Sequence, residues 1–241
     1  MKSYVQTKNK SKAVILGSAT NLIRSKDLAE IIDMNEAYIL GGNLCFLEHK
    51  LDYFFSSYFI HCELCALDNN ASIIKFSTIH EKNIYPNTLT KTFYPEHLGI
   101  HPGLIHEGFV CTEFNQLIGM THFATSLGVD EIFYSGFNQK DYKYFWQSNK
   151  KYNDEINVLI SNLDKKLLNE NYLKNNFDEK VIQNIRAHQE NLDSFNEYPF
   201  YNNSILKAIF SDLEALKIKF SSFDKCGIVT EILDEFCYNE N

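Results

Sequence analysis

Lys12-Ala13-Val14-Ile15-Leu16-Gly17-Ser18-Ala19-Thr20-Asn21 is the stretch on which the fold reading turns. Its apolar run has the length of one buried strand, and Gly17 stops it in a small-residue turn. Ser25-Lys26-Asp27-Leu28-Ala29-Glu30-Ile31-Ile32 follows with helical spacing. Ala37-Tyr38-Ile39-Leu40-Gly41-Gly42-Asn43 repeats the strand-to-glycine pattern, and Glu131-Ile132-Phe133-Tyr134-Ser135-Gly136 repeats it again. Leu51 to Ser56 and Ser72 to Phe76 read as two further strands, and Ile218 to Ser222 as the last. Asn115 to Leu127 reads as an amphipathic helix closed by Gly128, and Ser204 to Leu216 as another. Residues 77–108 hold three of the four prolines and four of the eight histidines, and read as irregular connecting structure. Strands that alternate with helices and stop at glycine predict an α/β fold on a parallel sheet.

Residues 140–199 have a different texture. They contain no glycine and are rich in Asn, Lys and Glu, with helical apolar spacing from Ile156 to Leu168. This predicts a helical insertion acting as a lid on one α/β body made of residues 1–139 and 200–241. Ligands of open parallel sheets bind beyond the carboxyl ends of the strands. The loops Gly17–Asn21, Gly41–Asn43, Ser56–Ser57 and Ser135–Gln139 should therefore share one rim, and that rim is the candidate site.

Composition narrows the function classes. The chain of 241 residues has 23 Lys and Arg against 31 Asp and Glu, a net charge of −8. Residues 1–150 carry −2 of this and residues 151–241 carry −6. An acidic balance disfavours nucleic acid and anionic lipid as partners, while leaving room for a local phosphate pocket. No run approaches the length of a membrane span, and the N-terminus has no signal-peptide pattern. Of six cysteines, Cys62 and Cys65 form a CxxC, but no second pair or His cluster follows at zinc spacing. The cysteines read as free thiols in a reducing cytoplasm.

The Gly17-Ser18-Ala19-Thr20-Asn21 turn presents backbone N–H groups and hydroxyls in the manner of a phosphate cradle, or is simply a tight β–α turn. It has the spacing neither of GxGxxG nor of a Walker loop. Asn43, behind Gly41 and Gly42, could bond a ribose or base, or merely favour a positive φ. His97, His101 and His106 lie close in sequence with Glu96 and Glu107, but the Pro and Gly between them favour loop histidines over a metal site. No HExxH, Asp-x-Asp or GxSxG occurs, so metal-dependent sugar-nucleotide chemistry and an α/β-hydrolase triad are disfavoured. Tyr142, Tyr144 and Trp146 form an aromatic run that suits a lid hinge or a hydrophobic staple.

Taken in order, these segments resemble the bacterial sialyltransferases of glycosyltransferase family 42. Gly17-Ser18-Ala19-Thr20-Asn21-Leu22 is similar to that family's Gly-x-Gly-Pro-Ser-Leu turn, and Leu40-Gly41-Gly42-Asn43 to its second strand. Leu127-Gly128-Val129-Asp130-Glu131-Ile132-Phe133-Tyr134-Ser135-Gly136 is similar to its Leu-Gly-x-x-x-Ile-Tyr-Leu-Ser-Gly. Ile205 to Phe220 is similar to the helix and strand that follow its lid. The resemblance implies a single Rossmann-like domain, a GT-A-like variant, with a small lid. It implies inverting, metal-independent transfer of sialic acid, or a related 2-keto-3-deoxy sugar, from a CMP-activated donor to a glycan acceptor. No cofactor is implied beyond that donor, and the setting is bacterial surface glycan synthesis: a cytoplasmic, homo-oligomeric enzyme at the inner face of the membrane.

Carried over by position, Tyr144 and Lys140 would hold the leaving phosphate. Gly17, Ser18, Asn21, Gly42, Asn43, Ser56, Ser57, Ser135 and Gly136 would line the nucleotide. The family's catalytic His position is Phe200 here, so His188 and Tyr201 become the candidates for the base, with Tyr198 nearby. The family's Thr-Ser-Gly is replaced around Asn115-Gln116-Leu117. These departures leave open a transferase with another nucleotide donor and a non-catalytic nucleotide- or glycan-binding homologue.

Overall fold

The computed structural model describes residues 10–57, 59–68, 71–77, 88–92, 100, 105, 107–111, 116–137, 144–176, 179, 182–183 and 203–237. Eight strands form one sheet in which every neighbouring pair is parallel. They are β1 (Lys12–Leu16), β2 (Ala37–Gly42), β3 (Tyr53–Ser56), β4 (Ser72–Ser77), β5 (Thr88–Thr92), β6 (Phe109–Cys111), β7 (Glu131–Ser135) and β8 (Lys219–Ser222). Seven described helices accompany them: α1 (Ser25–Ile31), α2 (Phe59–Asp68), α3 (Gln116–Ser126), α4 (Lys150–Leu167), α5 (Glu170–Asn176), α6 (Asn203–Ala215) and α7 (Ile228–Cys237). The spatial order is β6-β5-β4-β3-β2-β1-β7-β8. From β1 the chain therefore builds outward through β6, then returns to lay β7 and β8 on the other side.

A central strand of such a sheet must be apolar on both faces, and β1 is. Ala13 and Ile15 enter one core with Tyr38, Leu40, Phe55 and Phe76, under α3, α6 and α7. Val14 and Leu16 enter a second core with Ile39 and Phe54, under α1, α2 and α4. Three readings need correction. Residues 77–108 are not wholly irregular, because β5 lies within them, and α2 stands where no helix was expected. The segment 115–127 is not amphipathic: Leu117 through Thr125 are buried without interruption, so α3 is covered on all sides. Gly128, at φ 73°, ends it in the left-handed conformation that favours glycine.

The helices after β7 belong to the second core. Tyr152, Leu159, Leu163, Leu173 and Ile182 are buried in it. Two polar ties fix α4 to the body. The Tyr152 hydroxyl donates to Glu48 and accepts from Arg24 at 2.6 Å. Lys166 pairs with the buried Glu63 of α2 at 2.5 Å. Glu48 also receives the Ser25 N–H at 2.8 Å, capping α1, whose own N-cap residue Arg24 supplies no side-chain bond.

Candidate functional site

Because the strands are parallel and β3, β2, β1 and β7 are adjacent, their carboxyl ends lie along one edge of the sheet. Strand order reverses between β1 and β7, and such reversal points are where open parallel sheets commonly bind ligands. Gly17, Ser18, Asn21, Gly42, Asn43, Ser56, Ser57, Ser135 and Gly136 all fall on this edge or in the turns that follow it.

At the reversal the two turns touch backbone to backbone. The Gly17 N–H donates to the Ser135 carbonyl at 2.7 Å, and the Ala19 N–H to the Gly136 carbonyl at 2.9 Å. A Cβ on Gly17 would overlap the Gly136 carbonyl and press on the Phe137 ring at 2.7 and 2.8 Å. A Cβ on Gly136 would lie 2.8 Å from the Gly17 carbonyl oxygen. Close approach explains both glycines, and φ 83° adds a second reason at Gly136.

Asp224, two residues beyond β8, closes the floor. Its Oδ1 accepts the Ser135 hydroxyl and the Gly136 N–H, each at 3.0 Å, and its Oδ2 accepts the Phe137 N–H at 3.0 Å. Burial raises the Asp224 pKa above the usual carboxyl value, against the opposing pull of these donors. The Ser135 hydroxyl in turn accepts the Ile23 N–H at 2.9 Å. Ser135 and Gly136 are thus engaged with a carboxylate of the chain itself.

The β1–β2 side of the edge is built differently. Asn43 adopts φ 51°, and its amide donates to the Ser18 hydroxyl at 3.0 Å. The Cys45 thiol donates to the Gly17 carbonyl at 2.8 Å, and burial pushes its pKa up to about 12, so it is a packing group and no nucleophile. Above Gly42 sits the Gln116 side chain, close enough to overlap any Cβ there. Gln116 is the first residue of α3, which delivers its amide to the β2 end. Ser56 is fully buried, whereas Ser57 is half-buried.

Tyr144 reaches the same edge. It forms an antiparallel bridge with Ala19, and the next residue, Phe145, donates its N–H to the Ser18 carbonyl at 3.0 Å. The Tyr144 ring stacks on Trp146 with centroids 4.4 Å apart. Lys140, His188, Tyr198, Phe200, Tyr201, Tyr142, His97, His101 and His106 lie outside the described residues. Among the described residues no cluster of three or more His, Cys, Asp or Glu is placed to hold a metal ion. None of their helices is long and apolar enough to cross a membrane.

Asp224 and the covering role of Gln116 escaped sequence reasoning. The one available signal for Asp224 was an acidic residue just past a strand end, Ser221-Ser222-Phe223-Asp224. Comparisons with protein-family models, with curated proteins and with solved structures find no significant match to this chain.

Proposed function

We propose that the protein is a glycosyltransferase that takes a CMP-activated sialic acid, or a related 2-keto-3-deoxy sugar, and transfers it with inversion to a glycan acceptor in bacterial surface glycan synthesis. The observation that carries this reading is the Asn43–Ser18 pair at adjacent strand ends, beside the point where strand order reverses. Asn43 has a fixed backbone and a side chain already aligned on the phosphate-cradle turn, which suits it to hold a ribose or base edge. The bridge from Ala19 to Tyr144 supports the idea of a lid, since it brings the segment after β7 back over that turn. Tyr144 and Lys140 then stabilise the leaving phosphate in place of a metal. A base, His188 or Tyr201, takes the proton of the acceptor hydroxyl as CMP departs. The enzyme works at the inner face of the membrane as a homo-oligomer, needing no cofactor beyond its donor.

The engagement of Ser135 and Gly136 by Asp224 favours a second reading, a nucleotide- or glycan-binding protein without turnover. Calorimetric titration with CMP, UDP and GDP, in EDTA and then in Mg²⁺, tests the first. Selective CMP binding in EDTA is the expected result, followed by release of CMP from a CMP-sugar. Preference for UDP or GDP removes the donor assignment, and saturation without product moves the conclusion to the binding protein.

A further inference from the structure

The turn after β7 has the form of an anion site. Gly136 at φ 83° aims two successive N–H groups, its own and that of Phe137, at one carboxylate, the arrangement by which backbone nests hold phosphates and other oxyanions. The Ser135 hydroxyl accepts from Ile23 N–H, so its own proton is directed to Asp224. Asp224 is itself pinned from behind: its N–H donates to the Ser222 hydroxyl at 3.0 Å, and its carbonyl accepts the Thr230 hydroxyl at 3.0 Å. The carboxylate is buried, and each of its oxygens accepts a hydrogen bond from the turn.

We propose that the β7 turn is an oxyanion-binding nest whose resident ligand is the chain's own Asp224, and that this carboxylate decides where the anionic part of a bound nucleotide goes. It takes the donors a phosphate would need at the β7 end and repels a second anion from them. The phosphate is thereby confined to the Ser18 and Asn43 turns. The second half of the inference rests on the nucleotide reading above; the nest itself does not. Asp224 acts as a positioning and specificity-determining residue, without touching the reacting atoms.

Two measurements on the full chain test it. The first is thermal unfolding of the wild type, Asp224→Ala and Asp224→Asn in sodium formate against sodium chloride at equal ionic strength. Asp224→Ala vacates the nest, so formate should raise its midpoint saturably, while the wild type and Asp224→Asn stay unmoved. The second is calorimetric titration with CMP and with cytidine. Removing the charge should raise the ratio of CMP to cytidine affinity at least fivefold in Asp224→Asn; a merely structural role weakens both ligands together and leaves the ratio where it was. An Asp224→Ala midpoint indifferent to formate overturns the nest, and a ratio unchanged within twofold in Asp224→Asn overturns the specificity role. A wild type that binds neither CMP nor cytidine overturns the nucleotide reading and the specificity role with it, and formate rescue in that case still supports the nest. Should Asp224→Ala fail to fold in chloride, recovery of folded protein in formate replaces the midpoint as the readout.

Discussion

Replacing Gly17 by Ala adds one methyl group at the closest contact between the two halves of the sheet. Ordinary contact for a Cβ begins at 3.4 Å, and the Phe137 ring stands at 2.7 Å, so it must withdraw by about 0.7 Å and the Gly136 carbonyl by more. The Gly17 N–H to Ser135 bond would stretch from 2.7 Å to roughly 3.4 Å, the limit of a useful hydrogen bond. Overpacking of this kind costs about 1–3 kcal/mol, and two weakened hydrogen bonds add roughly 1 kcal/mol each. A total of about 3–5 kcal/mol lowers the midpoint of a chain this size by roughly 6–20 °C. Urea and thermal unfolding of Gly17→Ala measure it, with Gly128→Ala as the control. Gly128 has φ 73° and nothing within 4 Å of an added Cβ, so its substitution reports backbone strain alone, about 1–2 kcal/mol. If Gly17→Ala loses no more stability than Gly128→Ala, the turns are not packed backbone to backbone and the account of the reversal point fails.

Three further outcomes are expected. Asn43→Ala should weaken CMP binding more than tenfold, about 1.4 kcal/mol, and an unchanged dissociation constant in calorimetry would remove Asn43 from the site. Tyr152→Phe deletes the hydroxyl shared by Glu48 and Arg24 and leaves a largely buried carboxylate short of a donor. It should cost about 1–2 kcal/mol in urea unfolding; no shift in midpoint would show that this tie does not hold α4. The third concerns pH. Burial lowers the pKa of His61 from 6.5 to about 4. Between those values the unfolded chain binds a proton that the folded chain refuses, so stability falls as pH drops from about 6.5 towards 4, by up to roughly 3 kcal/mol. His61→Leu should flatten that acid slope in unfolding measured at pH 7 and 4.5, apart from a remainder from His49, whose pKa burial also lowers. An identical slope in wild type and variant would refute the assignment.

The legible parts of the fold were those where local pattern and tertiary environment agree. β1 and β2 are buried on both faces, β7 fully on one and partly on the other, and all three stop at glycine, so apolar runs and turn chemistry both announce them. β5, Thr-Leu-Thr-Lys-Thr, has a single apolar residue and takes its place from pairing with β4 and β6, which no local pattern records. α2 was hidden by its own composition: Cys62, Leu64 and Cys65 are buried beside His61 and Glu63, which blurs any apolar stripe. α3 misled in the other direction, since its Thr121, His122 and Thr125 look like a solvent face and are buried. For the site, parallel order and adjacency brought the expected turns to one edge. What sequence spacing could not carry was the use made of them, because the partner of Ser135 and Gly136 comes from a strand end 89 residues from Ser135.

That separation also sets an order of assembly. The Asn43–Ser18 contact spans 25 residues, so both of its partners are present early as the chain leaves the ribosome. The contact from Ile23 to Ser135 spans 112 residues and waits until more than half the protein has been synthesised. Asp224 arrives last. Contacts of such long range form slowly, because loop-closure entropy is lost before they reward it. The finished β7 turn is therefore a late event in the life of the nascent chain, since the carboxylate that engages it exists only once synthesis has passed residue 224.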